Sequence, residues 1–324
     1  MMDSSLIHIL YLSDLTQKHK NEIEAVDPRI RLHLAKNTIE GEPYLADADI
    51  VASLGWEFPR DAFIKAKELK WIHALSAGVD ALFYPEFIDS AVKLTNSRGV
   101  YDIPVSEHAF ALLTALTRGI HLFYGNQLNR EWKRSPVTEM EGKTMGIIGL
   151  GSIGLEIARK AKTAYNMKVI ATKKRIMREE PYVDILLPAS RLDELLNESD
   201  FVVVAAALTT ETEGLIGEKE LQRMKETSYI VNIARGRIIQ SPAMIKALKE
   251  GWIAGAGLDV TDPEPLSQDD EMYDAPNLII TPHMAAMAPA ERHVDRIVKV
   301  FVNNLRAFLA DKDMATYVDK IRRY

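Results

Sequence analysis

The chain has 324 residues, enough for about two domains, and 47% of them are apolar, enough to fill two cores. Lys and Arg number 40 against 46 Asp and Glu, a formal net charge of −6 that weighs against a nucleic-acid or acidic-membrane partner. There is no cysteine, which excludes disulfides and thiolate chemistry. The run Met1–Ile9 lacks a basic region followed by a long apolar stretch, so no secretory signal is expected. The longest apolar stretch, Phe201–Leu208, falls far short of the roughly 20 residues that cross a bilayer. A cytoplasmic, soluble α/β protein is the expectation.

Leu6–Leu12 reads as a first buried strand, and Asp14 can cap a helix running to about Ala25. Arg31–Leu34, Ile50–Ser53, Trp71–Leu75 and Val92–Thr95 read as further strands, with helical or loop segments such as Pro59–Lys67 between them. Strands alternating with helices imply a mainly parallel sheet covered on both faces. This first unit, about residues 1–100, has no phosphate-loop signature. A long helix is predicted from Pro104 to about Leu128, with Val105, Ala109, Leu112, Leu113 and Leu116 as its apolar stripe. Asn129–Trp132 and a polar stretch around Pro136 follow. A second unit then repeats strand and helix, with strands at Thr144–Ile148, Val169–Ala171, Phe201–Val204, Tyr229–Ile233, Ala254–Asp259 and Leu278–Ile280. A last amphipathic helix, about Pro289–Leu309, is placed to return to the first unit and make that domain discontinuous.

The strand Thr144–Ile148 runs directly into Gly149-x-Gly151-x-x-Gly154, and Leu155–Ala161 puts apolar residues at helical spacing. Strand, glycine turn and helix in that order raise a GxGxxG from a weak pattern to a dinucleotide-binding candidate. Gly149 permits the tight turn, Gly151 lets the backbone approach a pyrophosphate, and Gly154 lets the helix pack close to the strand. The first N–H groups of that helix, at Ser152 and Ile153, then face the phosphates. A glycine turn without a ligand is the plain alternative.

A unit that takes NAD places Asp or Glu about 20 residues past the glycines, to bind the ribose hydroxyls. Here the strand Met167–Ala171 ends in Thr172-Lys173-Lys174-Arg175, with three cations and no carboxylate. A carboxylate would repel a 2′-phosphate, whereas Lys and Arg attract it. The expectation is NADP(H) in preference to NAD(H), with NAD(H) still possible; the alternative is a solvated basic turn.

Four further stretches put polar residues at the C-terminal ends of apolar strands, the edge where open α/β sheets bind ligands: Val231–Arg237, Gly257–Pro265, Ile280–Ala286 and Leu75–Asp80. His283 can give or take a proton near neutral pH, and a carboxylate such as Glu264 would orient it. Arg235 offers a forked donor suited to a carboxylate. Ser76-Ala77-Gly78-Val79 offers backbone N–H groups in a glycine turn, an anion nest. Taken singly, each has a bland reading: a structural histidine, a surface ion pair, a loop carboxylate. No zinc spacing appears among His8, His19, His33 and His73, so no metal site is expected, and His73, between Trp71 and Leu75, reads as a hydrogen-bonded core residue. His108 and His121 on the long helix read as packed or solvent-facing, and Ser106-Glu107 as local capping.

Together these pieces resemble the D-isomer-specific 2-hydroxyacid dehydrogenases, over nearly the whole chain. The matching stretches are Leu75–Asp80, Thr95–Val100, Gly149–Gly154, Val231–Arg237, Gly257–Val260 with Glu264-Pro265, and Thr281-Pro282-His283. The resemblance implies two doubly wound parallel-sheet domains facing each other across a cleft. A Rossmann cofactor domain (101–285) is inserted into a discontinuous, flavodoxin-like substrate domain (1–100 and 286–324). It implies hydride transfer between NADP(H) and a small 2-oxo acid or D-2-hydroxy acid, of the glyoxylate or hydroxypyruvate kind. Arg235 would bind the substrate carboxylate and polarise its carbonyl, His283 would be the acid–base group, and Glu264 its partner. Asp259 and the backbone near Ala234 would meet the nicotinamide, Ala207 would join the cofactor contacts, and Ala77, Gly78 and Val79, with Ser76, would hold the substrate carboxylate. The long helix and the segment around Trp132 resemble the family's dimerisation region, so a homodimer is implied.

The chain departs from the pattern in places. Thr172–Arg175 replaces the commoner acidic version, Thr261 stands where an aromatic is frequent, and Ala285-Ala286 replaces Ala-Gly after the histidine. Glu264 argues against formate, whose enzymes carry an amide there. Two other readings share the fold: a cofactor-sensing binding protein without catalysis, and a dehydrogenase of another small anion such as phosphite.

Overall fold

A computed structural model of the chain describes residues 6–287 and 290–323. Two units divide after Tyr101 and again after Met287. In the first, strands β1 (Ile7–Leu12), β2 (Ile30–Ala35), β3 (Ile50–Ser53), β4 (Trp71–Ala74) and β5 (Lys93–Asn96) form a parallel sheet in the order β2-β1-β3-β4-β5. Helices α1 (Gln17–Glu24), α2 (Glu42–Leu45), α3 (Arg60–Lys65) and α4 (Pro85–Ile88) lie in the connections. A parallel sheet buried on both faces needs apolar side chains on both. Leu10, Leu12, Val51, Ile72 and Leu94 meet one core cluster, while Tyr11 and Trp71 point the other way, at period two along their strands.

In the second unit α5 (Asp102–Thr117) and α6 (Ile120–Leu128) lead into β6 (Thr144–Ile148), α7 (Ser152–Tyr165), β7 (Lys168–Lys173), β8 (Ile185–Pro188), α8 (Leu192–Glu198) and β9 (Phe201–Val204). After them come α9 (Glu218–Leu221), β10 (Tyr229–Asn232), α10 (Ser241–Glu250), β11 (Gly255–Leu258) and β12 (Leu278–Ile280). The seven strands are parallel in the order β12-β11-β10-β9-β6-β7-β8. The chain order reverses between β6 and β9, and the carboxyl ends of strands at such a switch point are where these sheets hold ligands. The chain then returns to the first sheet through α11 (Ala290–Leu309), whose Phe301 stacks on Trp71 with ring centroids 5.4 Å apart and meets Tyr11 edge-on at 5.7 Å.

Three local expectations need correction. The single helix expected over Pro104–Leu128 is two helices, broken at Gly119, which takes φ +64. The apolar pattern runs through the break, so periodicity alone does not reveal it. The first helix also begins earlier, at Asp102, with Pro104 in its first turn, where a missing N–H costs nothing. The edge strand β8 was not expected: it is four residues long, half of it exposed, and it ends in a proline. Pro289, expected to open the last helix, lies outside the described residues.

Candidate active site

The glycine loop sits at the carboxyl end of β6, at the switch point. Gly149 takes φ +94, and a Cβ there would lie 2.5 Å from the Cα of Ala206, which follows β9. Only glycine allows both the turn and that approach. A Cβ on Gly154 would lie 2.6 Å from the carbonyl oxygen of Gly149, so α7 packs against the loop because that Cβ is absent. Around Gly151 a Cβ would meet nothing within 4 Å, and no side chain caps α7. An open glycine before an uncapped fourteen-residue helix, beginning at Ser152 and Ile153, fits the pyrophosphate of a dinucleotide.

Thr172 is buried, and it supports the loop from behind. Its hydroxyl accepts from the Gly149 N–H at 3.3 Å and its carbonyl accepts from the Leu150 N–H at 2.9 Å. The cations after it are partly neutralised: Lys173 pairs with Glu180, and Lys174 with Glu211 at 2.9 Å. Hydrogen bonding to Lys174 holds the Glu211 carboxyl down to about 2. Arg175 is exposed and forms no ion pair among the described residues. Ala207, also exposed, accepts from the Thr212 hydroxyl through its carbonyl at 2.7 Å.

Arg235, Glu264 and His283 follow the ends of three neighbouring strands, β10, β11 and β12, in which Asn232, Leu258 and Ile280 are register partners. The buried Asn232 shapes the turn before Arg235. Its Oδ1 accepts from the Ala234 N–H at 3.0 Å, and its Nδ2 donates to the Arg235 carbonyl at 2.9 Å. The half-buried Arg235 donates from Nη1 to the Ala234 carbonyl at 2.7 Å. A Cβ on Gly236 would fall 1.9 Å from the Thr261 carbonyl oxygen, so the Arg235 turn and the loop leading to Glu264 touch backbone to backbone. Where an aromatic is common, Thr261 closes a small turn: its hydroxyl donates to the Pro263 carbonyl at 2.9 Å, and its N–H donates to Glu264 Oε1 at 3.0 Å.

The other Glu264 oxygen, Oε2, lies 2.7 Å from His283 Nδ1. Both Glu264 oxygens are thus engaged, and the imidazole is held by Nδ1 with Nε2 left for proton exchange. The His283 side chain is 44% exposed, so a substrate can reach it. Its backbone takes φ +49, in the left-handed region, and its N–H donates to the Asp259 carbonyl at 2.7 Å. Asp259 itself is buried. Its carboxylate accepts from the Thr281 hydroxyl at 2.6 Å and from the Met284 and Ala285 N–H groups, both at 2.9 Å. The structure therefore commits this side chain to the loop that carries His283. His108, on α5, approaches the same cluster, 2.8 Å from the Thr281 hydroxyl.

In the first unit, Ser76–Val79 follow β4. The Ser76 hydroxyl donates to the Gly78 carbonyl at 2.6 Å, and Asn96 Nδ2 donates to the Ala77 carbonyl at 2.7 Å. In a trans peptide the N–H points opposite the carbonyl. Tying those two carbonyls inward turns the N–H groups of Gly78 and Val79 outward, as an anion nest requires.

Asn232, Thr281 and His108 are the residues that inspection of the sequence missed. Asn232 and Thr281 lie inside quoted motifs without a role, and His108 lies 173 positions from the hydroxyl it meets. Among the described residues no group of three or more His, Asp or Glu side chains could hold a metal ion, and no helix is long and apolar enough to cross a membrane.

Residues 110–285 match the family model described as D-isomer specific 2-hydroxyacid dehydrogenase, NAD binding domain. The chain is similar to a glyoxylate reductase of Pyrococcus furiosus, 36% identical over 282 residues that cover 84% of this chain and 82% of the relative. Among solved structures it is similar to a D-isomer specific 2-hydroxyacid dehydrogenase family protein from Aeromonas salmonicida, at 29% identity and a TM-score of 0.86, covering 98% of this chain and all of that one. It is also similar to a D-isomer specific 2-hydroxyacid dehydrogenase from Xanthobacter autotrophicus in complex with NADPH and MES, at 26% identity and a TM-score of 0.82, covering 99% of this chain and all of that one. With a matched domain over more than half its length and the two parallel-sheet units in place, the chain belongs to the D-isomer specific 2-hydroxyacid dehydrogenase family and is an NAD(P)-dependent oxidoreductase.

Proposed function

We propose that the protein reduces a small 2-oxo acid, glyoxylate or hydroxypyruvate in type, to the D-2-hydroxy acid, with NADPH preferred over NADH. The carrying observation is the 2.7 Å contact of His283 Nδ1 with a Glu264 whose second oxygen is also fixed, beside Arg235 on the neighbouring strand ends. The glyoxylate reductase relative supports the substrate class, and the NADPH complex of the Xanthobacter protein supports the cofactor.

When bound, the nicotinamide supplies the hydride that adds to the carbonyl carbon. The loop Gly149–Gly154, with the N–H groups at Ser152 and Ile153, is assigned to the pyrophosphate, Ala207 to the adjoining cofactor surface, and Ala234 to the nicotinamide end. Lys173, Lys174 and Arg175 are assigned to the 2′-phosphate. Arg175 is the directly accessible cation of the three, and the two lysines must exchange their glutamates for the phosphate. Ala77, Gly78 and Val79 hold the substrate carboxylate through backbone N–H groups, with Ser76 fixing their turn. Arg235 pairs with the 2-oxo acid and stabilises negative charge on its carbonyl oxygen as it develops. Nε2 of His283 delivers the proton to that oxygen, and Glu264 balances the charge of the protonated ring and keeps it aimed.

The same reading makes the protein a cytoplasmic homodimer joined near α6. None of the α6 residues is buried, Tyr124 is 59% and Leu128 66% exposed, and Trp132 just beyond is 96% exposed. The test of the chemistry is loss of nicotinamide absorbance with a panel of 2-oxo acids, run with each cofactor. Turnover of glyoxylate or hydroxypyruvate with higher kcat/KM for NADPH is expected. Equal or better efficiency with NADH overturns the cofactor preference, and tight NADPH binding without turnover on any 2-oxo acid overturns the reductase.

A further inference from the structure

The loop that aims His283 is built on one buried carboxylate. Asp259, 1% exposed, takes the N–H of His283 on its carbonyl and those of Met284 and Ala285 on its side chain. Three successive N–H groups thus converge on one residue, and between them His283 keeps a left-handed backbone (φ +49) that a non-glycine residue holds only when its surroundings over-determine it. The third donor to that carboxylate is the Thr281 hydroxyl, 2.6 Å from Oδ1.

A hydroxyl has one proton. Thr281 gives its proton to Asp259, so at the 2.8 Å contact with His108 Nε2 it must accept. This sets the His108 tautomer, with the proton on Nε2, and fixes the Thr281 rotor as a donor to Asp259. His108 Nε2 also lies 3.3 Å from Asp259 Oδ1, and its side chain is only 17% exposed. The helix α5 otherwise supplies packing to this unit: a Cβ on Gly257 of β11 would lie 3.0 Å from Leu112 Cβ. His108 is the polar residue that this helix sends to the carboxylate.

We infer that His108 is a positioning residue for the reaction: through Thr281 and Asp259 it fixes the loop that aims the His283 imidazole. This rests on the reading of His283 as the proton donor. His108 touches no reacting atom in this scheme, and its effect is confined to the step in which the proton moves.

The test compares His108→Leu, His108→Gln and Thr281→Val in the full-length protein. Leucine removes the donor, glutamine can bring an N–H to the same oxygen, and valine deletes only the hydroxyl. His108→Leu is expected to lose about ten-fold or more in kcat, with KM for the 2-oxo acid and NADPH affinity by fluorescence nearly unchanged. Its solvent isotope effect on kcat should rise, because proton transfer becomes slower relative to other steps. His108→Gln should regain most of the rate. Thr281→Val should match His108→Leu, and the double variant should be no worse than either single one. If His108→Leu fails to fold, the near-isosteric Thr281→Val carries the comparison. Unchanged kcat and isotope effect in the folded variants overturns the inference, as does a glutamine variant as impaired as leucine or losses that multiply in the double variant. If the wild-type protein reduces no 2-oxo acid, the functional reading falls, and positioning is judged from the His283 ring resonances in nitrogen-15 NMR spectra. A shift in His108→Leu and Thr281→Val that His108→Gln reverses supports it, and unmoved resonances overturn it.

Discussion

Replacing Asp259 by asparagine changes one atom's chemistry and leaves its shape. The native Oδ1 accepts from the Thr281 hydroxyl and the Met284 N–H, and Oδ2 accepts from the Ala285 N–H. An amide has one acceptor oxygen and a donor NH2. The better orientation keeps the oxygen at the two-donor position and sets the NH2 against the Ala285 N–H, donor facing donor in a buried site. An unsatisfied buried donor costs about 1–3 kcal/mol. If the loop keeps its place, that cost appears as stability, and at about 2–4 °C per kcal/mol for a unit of this size the melting temperature falls by roughly 2–12 °C. If the loop relaxes instead, the cost appears at His283, and kcat falls by about 5- to 150-fold, since each 1.4 kcal/mol is a factor of ten. Thermal melting followed by circular dichroism and turnover followed by nicotinamide absorbance read both channels, and NADPH affinity is measured alongside because Asp259 is also expected near the nicotinamide. A variant within about 1 °C of wild type in melting temperature and equal to it in kcat would refute the view that this carboxylate holds the loop.

Other perturbations separate the remaining roles. His283→Ala should lose about 10²–10⁴ in kcat while still binding NADPH, since general acid catalysis typically carries that much; near wild-type turnover would remove it from the mechanism. Arg235→Ala should raise KM for the 2-oxo acid and lower kcat together, because its charge acts on both the bound substrate and the developing oxyanion, and a normal KM counts against it. Gly149→Ala should abolish NADPH binding by titration, given φ +94 and a Cβ 2.5 Å from backbone; retained affinity would show that the loop can yield. Burial pushes the pKa of His73 down from 6.5 to about 3. It stays neutral in the fold but binds a proton in the unfolded chain below 6.5, so stability is intact above that pH and falls as pH drops, by about 1.4 kcal/mol per unit from this group. Urea titrations from pH 7 to about 4 should show a shallower decline in His73→Gln, and parallel curves would refute the assignment.

Much of this was visible in the residues. Buried parallel strands are continuous apolar runs, and Phe201–Val204 reads as one directly. The placement of the glycine loop, Arg235, Glu264 and His283 after strand ends is readable because it is set by the local apolar run before each. The residues less readable are those whose partners are not set by a regular local spacing. Nothing near Lys173 and Lys174 announces that Glu180 and Glu211 will neutralise them, and the basic turn reads as more strongly charged than it is. Asp259 looks like a ligand contact because it ends a strand, yet its oxygens are taken by a loop 22 to 26 residues on. His108 looks like one more residue of a packed helix until the fold sets it against Thr281.

The chain breaks between its two units at only two places, after Tyr101 and after Met287, and everything from the glycine loop to His283 lies between them. Recombination at those joints carries the cofactor loop, the arginine, the glutamate and the histidine as one block. On the proposed reading, a chimera made there takes the cofactor-binding residues and the proposed proton donor from the same parent, while the Ser76–Val79 turn comes from the other. Exchange at those joints would replace the Ser76–Val79 turn without separating the glycine loop from His283.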